Sequence, residues 1–192
     1  AQKLSIPFFT TSFDTDKFAR DNKQSKQIAA RNLRYEWFQE ICVQNNFDFV
    51  LTAHHADDNL ETFLINFTRG SGLDGFTGIP EVHKNIARPL LIFSREEILN
   101  FAIENAIVWR EDQSNASTKY IRNKIRHQIL PVLKEINPSL LDTFAKTTKN
   151  LQESKQIIED KIADISAKVI ETENTILKIN IKEINKKINA IT

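Results

Sequence analysis

Thr52-Ala-His-His-Ala-Asp-Asp-Asn-Leu-Glu-Thr-Phe-Leu-Ile-Asn-Phe-Thr-Arg-Gly-Ser-Gly72 is the stretch whose reading decides the fold. It begins at the end of a bounded apolar run, Phe47 to Ala53, which predicts a short buried strand. Leu60, Phe63, Leu64 and Phe67 then recur at the spacing of one apolar helix face, so a helix is expected over Asp57 to Thr68. Asp57 and Asp58 fall in its first turn, where side-chain oxygens accept orphan N–H groups and negative charge suits the dipole; one of the two is expected to cap the helix. Asp58, Thr62 and Arg69 are expected on the face opposite the apolar stripe, with Asp57 and Glu61 on one flank. A strand end thus delivers imidazoles, carboxylates and a guanidinium to one region, and in open α/β sheets that region binds ligands. Two histidines, two aspartates and a glutamate within residues 54–61 form the candidate site: His54, His55, Asp57, Asp58 and Glu61.

Outward from this stretch the order is strand, helix, strand, helix, which argues for a parallel sheet with crossover helices. Ile6 to Phe13 reads as the earlier strand, with Pro7 near its start, and a helix follows near Gln24 to Asn45 with Ile28, Tyr35, Phe38, Ile41 and Cys42 on its buried side. Downstream, all four glycines, Gly70, Gly72, Gly75 and Gly78, lie within nine residues. Backbone that needs positive φ or close approach is therefore concentrated in one loop. Gly70 is expected to cap the helix and the others to let N–H groups approach an anion. The match of residues 70–75 to G-x-G-x-x-G is a decoy, because it follows a helix rather than a strand.

Arg88 to Phe93 is another short apolar run, and Ser94-Arg-Glu-Glu97 is a capping box opening a helix to about Asn105. A loop is expected to residue 115, then a helix from Tyr120 to Pro131. Six Lys or Arg stand against three Asp or Glu between Arg110 and Glu135, a modest basic patch suited to phosphate. Asn137-Pro138 reads as a helix start, and the pattern Phe144, Leu151, Ile158, Ile162, Ile165, Val169 predicts a helix of about eight turns. Ile176 to Ile181 alternates like a strand, and a helix restarts at Ile184. The expected organisation is an α/β domain over residues 1–135 with a Rossmann-like parallel sheet, incomplete at its front, and a smaller helical domain over 136–192.

Composition sets outer limits. The 192 residues are 41% hydrophobic and 27% charged with net charge +1, so a globular chain is expected and any nucleic-acid case rests on local charge. The single cysteine, Cys42, excludes an internal disulfide and suits a reducing compartment. No run has the length of a membrane span and no signal-peptide order opens the chain, which gives a cytoplasmic expectation with no membrane partner. The absence of methionine and the start almost within a strand lead to the expectation that the sequence begins inside a domain, the alternative being simple removal of an initiator.

Imidazole and carboxylate together also suit divalent metals. A phosphohydrolase built on His54, His55, Asp57 and Asp58, with Asp112, His83 or His127 as distant ligands, is the alternative from another class, although no second compact ligand motif supports it.

Ala53-His-His-Ala-Asp-Asp-Asn-Leu-Glu-Thr62, Arg69-Gly-Ser-Gly72, Arg88-Pro-Leu-Leu91, Glu111-Asp-Gln-Ser-Asn115, Arg122-Asn-Lys-Ile-Arg126 with Pro131, and Arg31-Asn-Leu-Arg-Tyr35 come in unbroken order. Together they closely resemble the tRNA(Ile)-lysidine synthetases, a family of PP-loop ATP-pyrophosphatases. The resemblance, over roughly residues 5–160, implies a ligase that uses ATP and Mg2+ to adenylate a ring carbonyl of the wobble cytidine in tRNA(Ile) with a CAU anticodon. The amine of free L-lysine then displaces AMP to leave lysidine. It implies that His54, His55, Asp57, Asp58 and Glu61 line the adenylate and cytidine site, with His54, Asp58, Arg69, Gly70 and Gly72 toward ATP and Asp58 toward the metal. It further implies that Asp112, Ser114, Asn115, Arg122 and Arg126 shape the lysine and tRNA side, and that Arg31, Arg34 and Tyr35 contact tRNA. A homodimer stays open.

The family's Ser-Gly-Gly-x-Asp-Ser phosphate loop does not occur in these residues. The resemblance therefore implies a strand, a helix and a second strand ahead of Ala1 and a further domain after Thr192, and these residues alone are not expected to adenylate a substrate. Two further readings are a tRNA thiolase of the same superfamily, which would want more cysteines than Cys42, and a tRNA-binding module without chemistry.

Overall fold

A computed structural model describes residues 5–110, 121–173, 176–182 and 184. The chain divides into two units, Ala1–Thr52 with Val82–Ala87, and Ala53–Glu81 with Arg88–Thr192. Asp112, Ser114 and Asn115 lie outside the described residues.

In the first unit, α1 (Thr15–Asp21) is capped by Asp14, which accepts from the Lys17 N–H at 2.9 Å, and α2 (Lys26–Asn45) by Ser25, which accepts from the Ile28 N–H at 3.3 Å. Asn46 ends α2 in the left-handed region at φ 53°, a conformation asparagine tolerates better than most residues. Ala29 and Cys42 are the buried residues of α2. Ile28, expected on the buried side, is 51% exposed. On this helix Arg31 stacks over the Tyr35 ring at 4.9 Å, while Arg34 is exposed.

The sheet of this unit is small and mixed. β1 (Val50–Leu51) pairs parallel with β3 (Ile86–Ala87), and β2 (Val82–His83) pairs antiparallel with β3, giving the order β1-β3-β2. The α/β character and one parallel pairing match the sequence reading; the second pairing is a hairpin. Ile6 to Phe13 is not a strand: the segment has no ladder partner among the described residues, and Phe8 is 76% exposed. Alternation of side chains makes a strand only where a neighbouring backbone closes its hydrogen bonds. Likewise the strand expected over 47–53 shortens to two residues, the length of its partner β3.

The second unit is organised around α3 (Ala56–Arg69). Leu60 and Ile65 join Ile125, Leu130 and Phe144 in one buried cluster, flanked by Phe63, Leu64, Leu140 and Leu141. Each such side chain contributes about 1.5–3 kcal/mol by leaving water. Phe63 meets Phe144 edge-on at 5.2 Å and Phe76 at 5.3 Å. Phe67, expected on the same stripe, is 64% exposed and only touches Phe76. The short helix α4 (Leu73–Phe76) carries that ring.

The apolar run Arg88 to Phe93 is a turn: Leu91 N–H donates to Arg88 O at 3.1 Å and Phe93 N–H to Leu90 O at 3.1 Å. Pro89 cannot donate to a ladder, so the strand ends at Ala87. Arg88 itself is buried with Nη1 donating to Pro80 O at 2.6 Å. The capping box at Ser94 and Glu97 opens α5 (Arg95–Glu104) as the sequence predicts.

The helix expected over 120–131 forms, but in three pieces: α6 (Ile121–Lys124), a π-helical turn over Ile125–Ile129, and α7 (Leu130–Ile136). Pro131 explains the break, since it cannot donate to a carbonyl one turn back and its ring crowds that turn, so the ladder widens there. Ser139 then leads into α8 (Leu140–Val169), 30 residues long, whose Lys155 pairs with Asp74 at 2.9 Å and whose Gln152 donates to Thr77 O at 2.8 Å. The hairpin β4 (Ile170–Glu173) and β5 (Ile176–Ile179) follows. No described helix is long and apolar enough to cross a membrane.

Candidate active site

His55 is the N-cap of α3, in extended backbone, and it closes a reciprocal box with Asp58. The His55 Nδ1 accepts from the Asp58 N–H at 3.4 Å, and Asp58 Oδ2 accepts from the His55 N–H at 3.1 Å. The N-cap is thus His55 and not one of the two aspartates; Asp58 serves the cap from the third helical position, and a histidine stands where a serine or threonine is usual. Because Nδ1 accepts, the ring proton belongs on Nε2, which lies 3.3 Å from Asp58 Oδ2. His54, one residue before the cap, is half-buried.

The carboxylates are inside, not on a solvated flank. Glu61 is 0% exposed and Asp57 is buried, because the basic helices from Ile121 onward cover the polar side of α3. Arg126 Nε donates to Glu61 Oε1 at 2.6 Å, and its Nη2 donates to Glu61 Oε2 at 2.9 Å and to Asp58 Oδ1 at 3.0 Å. Arg122 Nη2 donates to Thr62 Oγ1 at 2.9 Å, with its Nε 3.8 Å from Glu61 Oε2. Hydrogen bonding to Glu61 and the charges of Glu61, Asp58 and Asp57 raise the Arg126 pKa above its ordinary value, although burial opposes this.

Asp57 is a hub with both oxygens engaged. Oδ1 accepts from Lys134 Nζ at 2.6 Å, and Oδ2 accepts from the Arg95 N–H, the first residue of α5, at 2.8 Å. Burial alone would raise its carboxyl pKa; the hydrogen bonds from Arg95 and Lys134, with the Lys134 charge, win and hold it below the usual range.

The structure thus gathers His55, Asp57, Asp58, Glu61, Arg122 and Arg126. It does not bring Arg69, Gly70 or Gly72 to them: these stand at the opposite end of α3, about 16 Å of helix from Asp58 at the usual rise. Gly70 caps α3 at φ 72°, as expected, and both Gly70 and Gly72 have open space around them. The rest of that loop is clamped by α3: Asn59 Oδ1 accepts from the Ile79 N–H at 2.6 Å and Asn66 Nδ2 donates to Gly75 O at 2.9 Å. Arg31, Arg34 and Tyr35 stand on α2 in the other unit.

Lys134, Asn59 and Asn66 are the residues that the sequence reading missed. Lys134 had a signal: Arg122, Arg126 and Lys134 repeat at multiples of four through the buried Leu130, one face of a helical run.

Comparison with known proteins supplies the family. The model of the PP-loop domain family matches residues 1–133. A tRNA(Ile)-lysidine synthase from Porphyromonas gingivalis is 43% identical over 150 residues, covering 78% of this chain and 33% of its own length. Proteins of the same name from Thermosipho africanus (42% over 162 residues, 84% of this chain and 38% of the relative) and Bacillus subtilis (35% over 176 residues, 89% and 37%) are similar in the same way. The chain spans 33–38% of the length of these three relatives. With a family model matched over more than half of its residues, the chain belongs to the PP-loop domain family, in which ATP binding is implied.

Proposed function

We propose that this chain is part of an ATP-dependent ligase that joins free L-lysine to the wobble cytidine of tRNA(Ile) with a CAU anticodon. The observation that carries this reading is the buried pairing of Asp58 and Glu61 with Arg126, formed by motifs that run in the same order as in the lysidine synthetases. ATP supplies the adenylyl group that turns the ring carbonyl oxygen into a leaving group.

The chain's residues do the rest. Attack by the lysine amine on the ring carbon needs the ammonium proton removed, and Asp58, oriented by His55 and Arg126, is the acceptor we assign. Arg122 and Arg126 meet the negative charge of the departing AMP. Asp57 holds the first turn of α3 in place, and His54 is assigned to the nucleotide. Arg69, with the open backbone at Gly70 and Gly72, is assigned to a separate phosphate contact at the far end of α3, about 16 Å of helix from Asp58. Mg2+ enters with the nucleotide phosphates, its usual mode in such sites. Arg31, Arg34 and Tyr35 contact tRNA, as do the helices of residues 136–192, and the cytoplasm is the compartment this reading assigns.

The test is run on the gene product that carries residues 1–192 in its natural reading frame, with ATP, Mg2+, labelled lysine and unmodified tRNA. Label in the wobble nucleoside of the CAU tRNA alone supports the ligase. Salt-sensitive tRNA binding without label would replace it by a binding module, and phosphoester cleavage without ATP or lysine by a hydrolase.

A further inference from the structure

Asp57, Asp58 and Glu61 place three carboxylates within one turn and a half of helix, a concentration of charge that would ordinarily draw a divalent cation. Each of their six oxygens already has a nitrogen donor. Lys134 and the Arg95 N–H take those of Asp57, Arg126 and the His55 N–H those of Asp58, and Arg126 both of Glu61. The cations balance the anions: Arg122, Arg126 and Lys134 against Asp57, Asp58 and Glu61. Mg2+ demands near-octahedral oxygen ligation at close range, and a guanidinium bonded to Asp58 and Glu61 at once fills the space between them and repels a second cation. Among the described residues no three His, Cys, Asp or Glu side chains are grouped to hold a metal ion.

We propose that Arg126 takes the place of a divalent ion between Asp58 and Glu61, so that this carboxylate pair holds no resident metal and the Mg2+ of the nucleotide is ligated elsewhere. The closed pair is charge-neutral and preorganised by a side chain that cannot dissociate or be chelated. Asp58 then acts through its hydrogen bonds to His55 and Arg126 and has no part in ligating metal.

The experiment is a Mn2+ titration of the metal-free protein at neutral pH, read by electron paramagnetic resonance of the free ion. The wild type is expected to show no site at Asp58 and Glu61 tighter than about millimolar, the weak end of the range for oxygen sites. Arg126→Gln, which removes the charge and keeps a donor, is expected to gain one site at least about tenfold tighter, since Asp58 then loses its arginine and Glu61 keeps only Arg122 at 3.8 Å. Arg126→Lys, which keeps the charge, is expected to gain none, and Asp58→Asn added to Arg126→Gln should abolish the gain. A stoichiometric Mn2+ site in the wild type that Asp58→Asn removes would overturn the proposal. So would a folded Arg126→Gln that binds no Mn2+. Where Arg126→Gln does not fold, the wild-type titration with and without Asp58→Asn decides alone. Nothing in this test depends on turnover, so the ligase reading and the closed carboxylate pair can fail separately.

Discussion

Arg126 grips Glu61 with two nitrogens, at 2.6 and 2.9 Å, and reaches Asp58 with the second of them at 3.0 Å. Glu61 has no exposed surface, and its other cation, Arg122, stands 3.8 Å away, so this grip is the main counter to its buried charge. Arg126→Ala should cost about 3–5 kcal/mol, the usual loss when one partner of a buried pair is removed. Arg126→Lys should lose part of that, because an ammonium cannot make the forked contact. Urea denaturation of the three proteins checks both, and an Arg126→Ala loss within 1 kcal/mol of zero would mean that Glu61 is not relying on this partner.

Lys134 and Asp57 give the second expectation, which is a pH dependence. The carboxyl of Asp57 is held below its usual range in the folded chain. Its contribution is therefore fully present above the unfolded value, near 4, and is lost as pH falls through the lower folded value. Lys134→Met removes one hydrogen bond and the counter-charge while burial still disfavours the anion. The variant should be less stable than wild type by about 1–2 kcal/mol at pH 7, discounted for the partial exposure of Lys134. The gap should narrow as pH falls through the folded value of the variant and close only below the lowered folded value of the wild type, where Asp57 is neutral in both proteins. A gap that does not change between pH 7 and pH 3 would assign the loss to packing of the lysine stem.

These two clusters also show where the sequence was legible. The cap of α3, the box at Ser94 and Glu97, the long helix α8 and the left-handed Gly70 all follow from local rules: a side chain meeting backbone three residues away in the two boxes, apolar periodicity in α8, and free backbone at Gly70. The burial of Glu61 does not, because it depends on Arg126, sixty-five residues later, arriving over the polar side of α3. Periodicity assigned Phe67 to the core and Glu61 to a flank; tertiary packing exposed the first and enclosed the second. The strands failed for a related reason. Ile6 to Phe13 and Phe47 to Ala53 have the composition of strands, but strand length follows the partner, and β3 offers only Ile86 and Ala87. Pro131 was visible in the sequence, and a widened turn before it, rather than a helix end at it, was the part that residue identity alone did not decide.

The glycine loop allows a paired test of backbone against space. Gly78 sits at φ 78°, and a Cβ there would come within 2.6 Å of Asn59 Oδ1, which is the acceptor for the Ile79 N–H. Gly78→Ala should therefore destabilise by about 1–3 kcal/mol through strain and a disturbed clamp. Gly72, at φ −76° with nothing near its missing Cβ, should accept alanine with a change of about 0.5 kcal/mol or less. Thermal melts of both variants distinguish the two cases. Equal shifts would show that the Asn59 contact does not constrain the loop.

Asp58 is where stability and the proposed chemistry can be separated. Asp58→Ala removes an acceptor for the His55 N–H and one of the three Arg126 contacts, but Arg126 keeps its fork on Glu61. The loss of half a capping box costs about 0.5–2 kcal/mol, so a folded protein is expected. Lysidine formation should nevertheless fall by about a hundredfold or more, because Asp58 is the proton acceptor assigned to the incoming amine, and a positioned base supplies about that much. The activity of the natural full-length gene product, normalised to its folded fraction by circular dichroism, is the measurement. Asp58→Asn sharpens it, since the amide oxygen can still accept from His55 while it cannot take a proton. Loss in both variants supports the acceptor role; activity kept by asparagine and lost by alanine would assign Asp58 to holding His55 in place; near-normal turnover in both would remove Asp58 from the reaction.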